Sequence, residues 1–199
     1  IAMPYSIVAL GTSWGGLSAM MKLLGALPAD FPIPIAVVQH RSKDSDRLLV
    51  QLLQDATPLH VCEVEDKDLL LAGSVHVAPA NYHMLIEQGY LSLTTDEAVR
   101  YSRPSIDVMF MSAADAYRAE TIGVILTGAN EDGAKGLAHI VKLGGRGLIQ
   151  DPKTAEIPIM PDAAIHAVPR AEVLPLDAIA PRLIELSRRM SKADRRATV

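Results

Sequence analysis

Directly after the apolar run Ile7-Val8-Ala9-Leu10, the chain reads Gly11-Thr12-Ser13-Trp14-Gly15-Gly16 and then Leu17-Ser18-Ala19-Met20-Met21-Lys22-Leu23-Leu24. A short, wholly apolar run is the pattern of a strand buried on both faces, and the second stretch carries its apolar residues at helical spacing. The glycines between them mark a sharp handover from strand to helix. Strands buried on both faces belong to parallel sheets, whose neighbours are joined by crossover helices. The rest of the chain repeats the alternation. Strands are expected at residues 5–10, 34–39, 60–64, 75–78, 121–126 and 146–150, and helices at 16–26, 45–55, 104–118, 133–143, 161–168 and 176–190. Gly144-Gly145 ends one helix, and Pro104 and Pro161 are placed where a first helical turn tolerates a missing N–H. Between residues 75 and 93 the pattern changes, with short segments 84–87 and 90–93 flanking Gln88-Gly89 as a hairpin does. The expected fold class is therefore α/β: a doubly wound, mostly parallel sheet with helices on both faces and an attached antiparallel hairpin. Residues 1–190 are expected to form one domain, and 191–199 a solvated C-terminal tail.

Composition narrows the class of function. Aromatic residues make up only 4% of a chain that is 49% hydrophobic, so the core must be aliphatic, as in parallel sheets. The formal charge is -4 and no basic block occurs before the last residues, which argues against a nucleic-acid surface. No apolar run is long enough for a membrane-spanning helix and no signal peptide is visible. The single Cys62 excludes an internal disulfide framework and suits a reducing cytoplasm; beside Val61 and Val64 it reads as an inert strand thiol.

Gly11-x-Ser13-x-Gly15 fits the nucleophile-elbow pattern, in which a strained strand-to-helix turn lifts a serine hydroxyl clear of the sheet. The following helix then aims its free N–H groups at an oxyanion formed beside Ser13. The same junction also suits phosphate binding or a purely structural turn. In open parallel sheets, sites form at the carboxyl ends of strands near the point where strand order reverses. Two further strand ends carry reactive groups: residues 35–39 lead into His40, and 122–126 lead through Thr127-Gly128-Ala129-Asn130-Glu131 to Asp132. Together these supply a Ser-His-Asp triad, with His40 as proton carrier and Asp132 orienting it. Alternatives stand beside each member. His40 also reads as a solvated loop residue, Asp132 as the cap of the helix after it, and Glu131 as a competing acid. The order Ser, His, Asp differs from that of the α/β-hydrolases. His60, His76, His83, His139 and His166 show no zinc-like spacing, so neither a metal nor another cofactor is expected.

These residues resemble the catalytic domain of the CheB-type protein-glutamate methylesterases over roughly residues 5 to 187. The resemblance rests on residues 9–16, on Val38-Gln39-His40, on Val77-Ala78-Pro79-Ala80-Asn81-Tyr82-His83-Met84, on Arg103-Pro104-Ser105-Ile106-Asp107-Val108-Met109-Phe110, and on Gly123-Val124-Ile125-Leu126-Thr127-Gly128 leading to Asp132-Gly133-Ala134. It implies a Rossmann-like serine hydrolase of signal transduction. Such an enzyme removes γ-methyl esters from glutamyl residues on methylated chemoreceptor signalling helices, and family members also deamidate glutamines there. Ser13 carries over as nucleophile, His40 as general base and acid, and Asp132 as the third member. Thr12, Trp14 and Ala129 are expected at the oxyanion and substrate pocket, with the Trp14 N–H as donor.

The chain departs from the family pattern at Trp14, at Ala129-Asn130 and at Arg41-Ser42, where threonine, methionine-glycine and methionine-proline are usual. Those departures leave two alternatives open: a catalytically weakened binding module of the same fold, and an esterase with a non-chemotaxis substrate. Arg41, Lys43 and Arg47 are expected at the site mouth, where they either steer an acidic partner or form an ordinary solvated rim. The receiver domain common in the family has no counterpart in this sequence. Ile1 leaves open whether the chain is a fragment or a stand-alone domain.

Overall fold

The computed structural model describes residues 5–40, 48–99 and 101–194. Strand β1 (Ile7–Thr12) is buried at all six positions and forms the middle of a seven-stranded sheet. The chain passes through α1 (Gly16–Gly25) to β2 (Ile35–Gln39), then through α2 (Leu48–Ala56) to β3 (His60–Glu63) and β4 (Ser74–Val77). After the hairpin of β5 (His83–Glu87) and β6 (Tyr90–Thr94), α3 (Ile106–Tyr117) carries it back across the sheet. It continues through β7 (Thr121–Ile125), α4 (Ala134–Lys142), β8 (Arg146–Gln150), α5 (Ile159–Ala167), β9 (Glu172–Leu174) and α6 (Leu176–Asp194). The strand order is β3-β4-β2-β1-β7-β8-β9 and every pairing in it is parallel. The order reverses at β1, the doubly wound arrangement expected from the alternation.

Side chains on a strand point alternately to the two faces of the sheet, so one strand feeds two cores. From β1, Val8 and Leu10 join α1, α2 and α6, with Met20, Leu24, Leu53, Ile179 and Leu183 fully enclosed. Ile7 and Ala9 face the other way, onto α3, α4, α5 and the hairpin, among Phe110, Leu137, Met160 and Met84. Each large aliphatic side chain buried this way contributes about 1.5–3 kcal/mol. Both layers are needed to cover a sheet with no polar face.

Several boundaries differ from expectation for identifiable reasons. β1 runs on through Gly11 and Thr12, because Gly11 is not a turn residue but the point where α3 touches the sheet: a Cβ there would lie 2.3 Å from Ile106 Cγ2. α3 begins at Ile106 behind the cap residue Ser105, which leaves Pro104 outside the helix. α5 begins at Ile159, two residues early, and holds Pro161 in its first turn. β9 has no counterpart in the expected elements. It is a three-residue edge strand with Val173 exposed, held by Arg146 and Arg182 on Glu172. α6 continues to Asp194, so four of the nine residues assigned to the tail extend a helix; the other five lie outside the described residues. No described helix is long and apolar enough to cross a membrane.

Candidate active site

The three neighbouring strands β2, β1 and β7 end side by side, and the loops leaving them are stitched together. The His40 amide donates to the Thr12 carbonyl (3.1 Å) and the Ser13 amide to the Thr127 carbonyl (3.0 Å). This brings Ser13, His40 and the 127–132 loop to one edge of the sheet, at the point where strand order reverses.

Asp132 is 1% exposed, and an ionised carboxylate is tolerated there only because it is surrounded by donors. Its Oδ2 accepts the Ile106 amide (2.7 Å) and His40 Nε2 (2.8 Å); its Oδ1 accepts the Ser105 hydroxyl and the Asp107 amide, both at 3.0 Å. The first-turn amides of α3 have no partner within their own helix and carry its positive dipole end, so the acid sits where a negative charge is most favoured. Burial alone pushes the Asp132 carboxyl up. The His40 imidazole and the Asp107 and Ile106 amides outweigh it and hold the group below the ordinary aspartate value. The arrangement is reciprocal. Asp107, in the first turn of α3, accepts the amides of Gly133 (3.0 Å) and Gly136 (2.7 Å) and so satisfies the start of α4. Gly133 adopts φ 95, a left-handed conformation in which any side chain is strained. Ser105 is itself tied to the hairpin, since its amide donates to Nδ1 of the buried His83, whose Nε2 donates to the Glu97 carbonyl.

His40 is only 11% exposed at its side chain. With Nε2 on the Asp132 carboxylate, Nδ1 faces the side-chain amide of Asn130 at 3.2 Å. The Ser13 hydroxyl donates to no group among the described residues, His40 included. Its carbonyl accepts Gln39 Nε2 (2.7 Å) and the Gly16 amide (3.0 Å), which holds the turn from outside. The strain of the turn falls at Gly15, with φ 77, where a Cβ would also meet Glu156 Oε2 at 2.7 Å; Ser13 is not among the left-handed residues. Glycine is required two residues after the serine, at the cap of α1.

Ser13 and His40 line a cleft of about 600 Å³ together with Trp14, Gly15, Gly16, Leu17, Ser18, Met21, Gln39 and Glu156. Trp14 is 67% exposed, so its indole stands at the mouth and does not pack into the floor. The amides of Trp14 and Gly15 donate to no described group, while the Trp14 carbonyl is fixed by the Thr127 hydroxyl (2.9 Å). Two residues expected at the pocket are elsewhere. Thr12 is fully buried and spends its hydroxyl on the Thr127 carbonyl (2.8 Å), joining the ends of β1 and β7. Ala129 is exposed and not part of the cleft lining. Arg41, Lys43 and Arg47 lie outside the described residues.

Of the two adjacent acids, Asp132 reaches His40, and Glu131 is exposed. Ser105, Asp107 and Asn130 were not assigned roles from the sequence. The serine and aspartate sit inside the quoted 103–110 block, whose recurrence was the available signal. Cys62 is half-buried beside His76, with Sγ 3.5 Å from Nδ1, and burial pushes its thiol up. No three His, Cys, Asp or Glu side chains among the described residues are grouped to hold a metal ion.

Comparison with known proteins gives a consistent result. The family model for CheB methylesterase matches residues 8–183. A Leptospira interrogans protein named as a putative protein-glutamate methylesterase/protein-glutamine glutaminase is 45% identical over 185 residues, covering 92% of this chain and 96% of that protein. The protein-glutamate methylesterase FrzG of Myxococcus xanthus is 39% identical over 183 residues, covering 92% of this chain but only 55% of FrzG. The chain thus spans nearly all of the first relative and about half of the second. The crystal structure of the Thermotoga maritima CheB methylesterase catalytic domain superposes with a TM-score of 0.87 at 33% identity, covering 92% of this chain and all of that one.

Proposed function

This chain belongs to the CheB methylesterase family, and on that premise we propose that it is a serine hydrolase that cleaves γ-methyl esters of glutamyl residues on chemoreceptor signalling helices. The observation that carries the reading is the 2.8 Å bond from His40 Nε2 to a buried, fully bonded Asp132, with Ser13 at the end of the adjacent strand. An acceptor-only carboxylate on Nε2 leaves the other ring nitrogen as the base. In the proposed reaction Ser13 Oγ forms a bond to the ester carbonyl carbon as its proton passes to His40 Nδ1. Asp132 stabilises the imidazolium, and the carbonyl oxygen becomes an oxyanion held by the Trp14 amide just ahead of α1, which donates to no described group. Collapse breaks the bond to methoxide, which takes the proton from His40 and leaves as methanol. Water then adds to the acyl-enzyme with His40 again accepting the proton, giving glutamate and free Ser13. Proton transfer and oxyanion stabilisation each contribute about 10²-fold or more. The same steps on a glutamine release ammonia in place of methanol.

The test is methanol release from a methylated receptor signalling domain, with the native chain beside Ser13→Ala. Serine-dependent release supports the reading. No release above that of the variant, from folded protein, overturns it in favour of a binding module; turnover of small esters alone points to another substrate.

A further inference from the structure

We propose that Asn130 is a positioning residue that caps the catalytic base: its side-chain amide occupies the His40 Nδ1 lone pair and must leave before the Ser13 hydroxyl can donate there. The inference rests on the reading of Ser13, His40 and Asp132 as a triad. Asp132 is ionised and can only accept, so His40 carries its proton on Nε2 and Nδ1 is bare. Only a donor suits a bare nitrogen. The orientation of Asn130 is set independently, because its Oδ1 accepts the Asp132 amide at 3.0 Å and its Nδ2 therefore points the other way, to His40 Nδ1 at 3.2 Å. One ring lone pair cannot take the Asn130 N–H and the Ser13 O–H together. Consistent with that competition, the Ser13 hydroxyl donates to no described group. Asn130 is half-buried on the loop between β7 and α4, and no regular element holds its backbone. Resting enzyme thus holds the histidine in the tautomer it needs while withholding the base from the nucleophile.

The test is the second-order rate at which a fluorophosphonate labels Ser13 at fixed pH. That reaction forms the Oγ–P bond, expels fluoride and sends the serine proton to His40. Asn130→Ser is the decisive variant. Its short hydroxyl still accepts the Asp132 amide, as serine does in such turns, but does not reach His40. Labelling is expected to rise roughly threefold to tenfold, the population released by losing one neutral hydrogen bond. Asn130→Gly, which lacks both bonds, is expected to rise as well. Loosening of the loop alone slows labelling, so the direction separates capping from support. Labelling of either folded variant at or below the native rate overturns the proposal. A His40→Gln chain that labels as fast as the native one overturns instead the triad reading beneath it.

Discussion

The two halves of the site are built in opposite ways. Around Asp132, four donors from α3 and from His40 converge on one carboxylate, and the neighbouring Asp107 returns the favour to α4. Around Ser13, the hydroxyl and the two backbone amides beside it donate to nothing among the described residues, and Trp14 stands in solvent. A charge that must persist through every turnover is stabilised once, by fixed dipoles, when the protein folds. In the proposed reaction, the groups that meet the transient oxyanion are those left unsatisfied, so that their strongest interaction is made in the transition state. Damage to the first half should therefore affect stability and rate together, and damage to the second should affect rate or affinity alone.

Replacing Asp132 breaks the contrast most severely. Asp132→Asn should lower kcat by about 10⁴-fold, as loss of the orienting charge does in other triads, and should destabilise the fold by about 1–3 kcal/mol, because a carboxamide presents a donor to a ring of donors. Kinetics on a small ester and a urea melt of the same sample measure both; a larger loss from Glu131→Gln contradicts the assignment. Ser13→Ala should give a comparable loss of turnover with the melting temperature unchanged within about 2 °C, since a half-exposed hydroxyl without a bond contributes little. Ser105→Ala removes one of the four donors. It should lower stability by about 1–2 kcal/mol and kcat by roughly tenfold, with KM unaffected. Smallest in stability is Trp14→Ala, expected within about 0.5 kcal/mol of native; KM should rise for a receptor helix and not for a small ester.

The acid limb of stability sharpens the same comparison. Because the folded state holds Asp132 below its ordinary value of 3.8, the unfolded chain binds the proton more readily. The stabilisation is complete at pH values above 3.8 and is lost as the pH falls below it through the depressed value. Acid melts of native and Asp132→Asn proteins should converge in that range and differ at pH 6; curves that stay parallel throughout contradict the linkage.

The sheet was legible because wholly apolar runs such as residues 7–10 and 122–126 have no other soluble home, and three of them end in Ser13, His40 and the loop to Asp132. What escaped notice escaped for physical reasons. β9, at three residues, is too short to show periodicity, and its Glu172 depends on Arg146 of β8 and Arg182 of α6. That the turn needs glycine is legible from the sequence, whereas only the backbone shows that Gly15 is the residue there that is left-handed. Thr12 adjoins Ser13 in sequence, but it belongs to a strand buried at every position and its hydroxyl is taken by the Thr127 carbonyl. Two of the four donors to Asp132 are main-chain amides, which no side-chain pattern reports.

The mutual capping of α3 and α4 has a consequence for descendants of this chain that lose their activity. On the proposed reading, Ser13 contributes to turnover and hardly at all to folding, so drift is free to erase it as soon as hydrolysis ceases to matter. Asp132 and Asp107 each hold the end of a helix, and a chain that replaces either becomes less stable whether or not it is an enzyme. Asp132, the aspartate of the proposed triad, should therefore outlive the reaction it serves. Among related sequences, an intact Asp132 should then testify to a preserved architecture, and, on the proposed mechanism, Ser13 to a living active site.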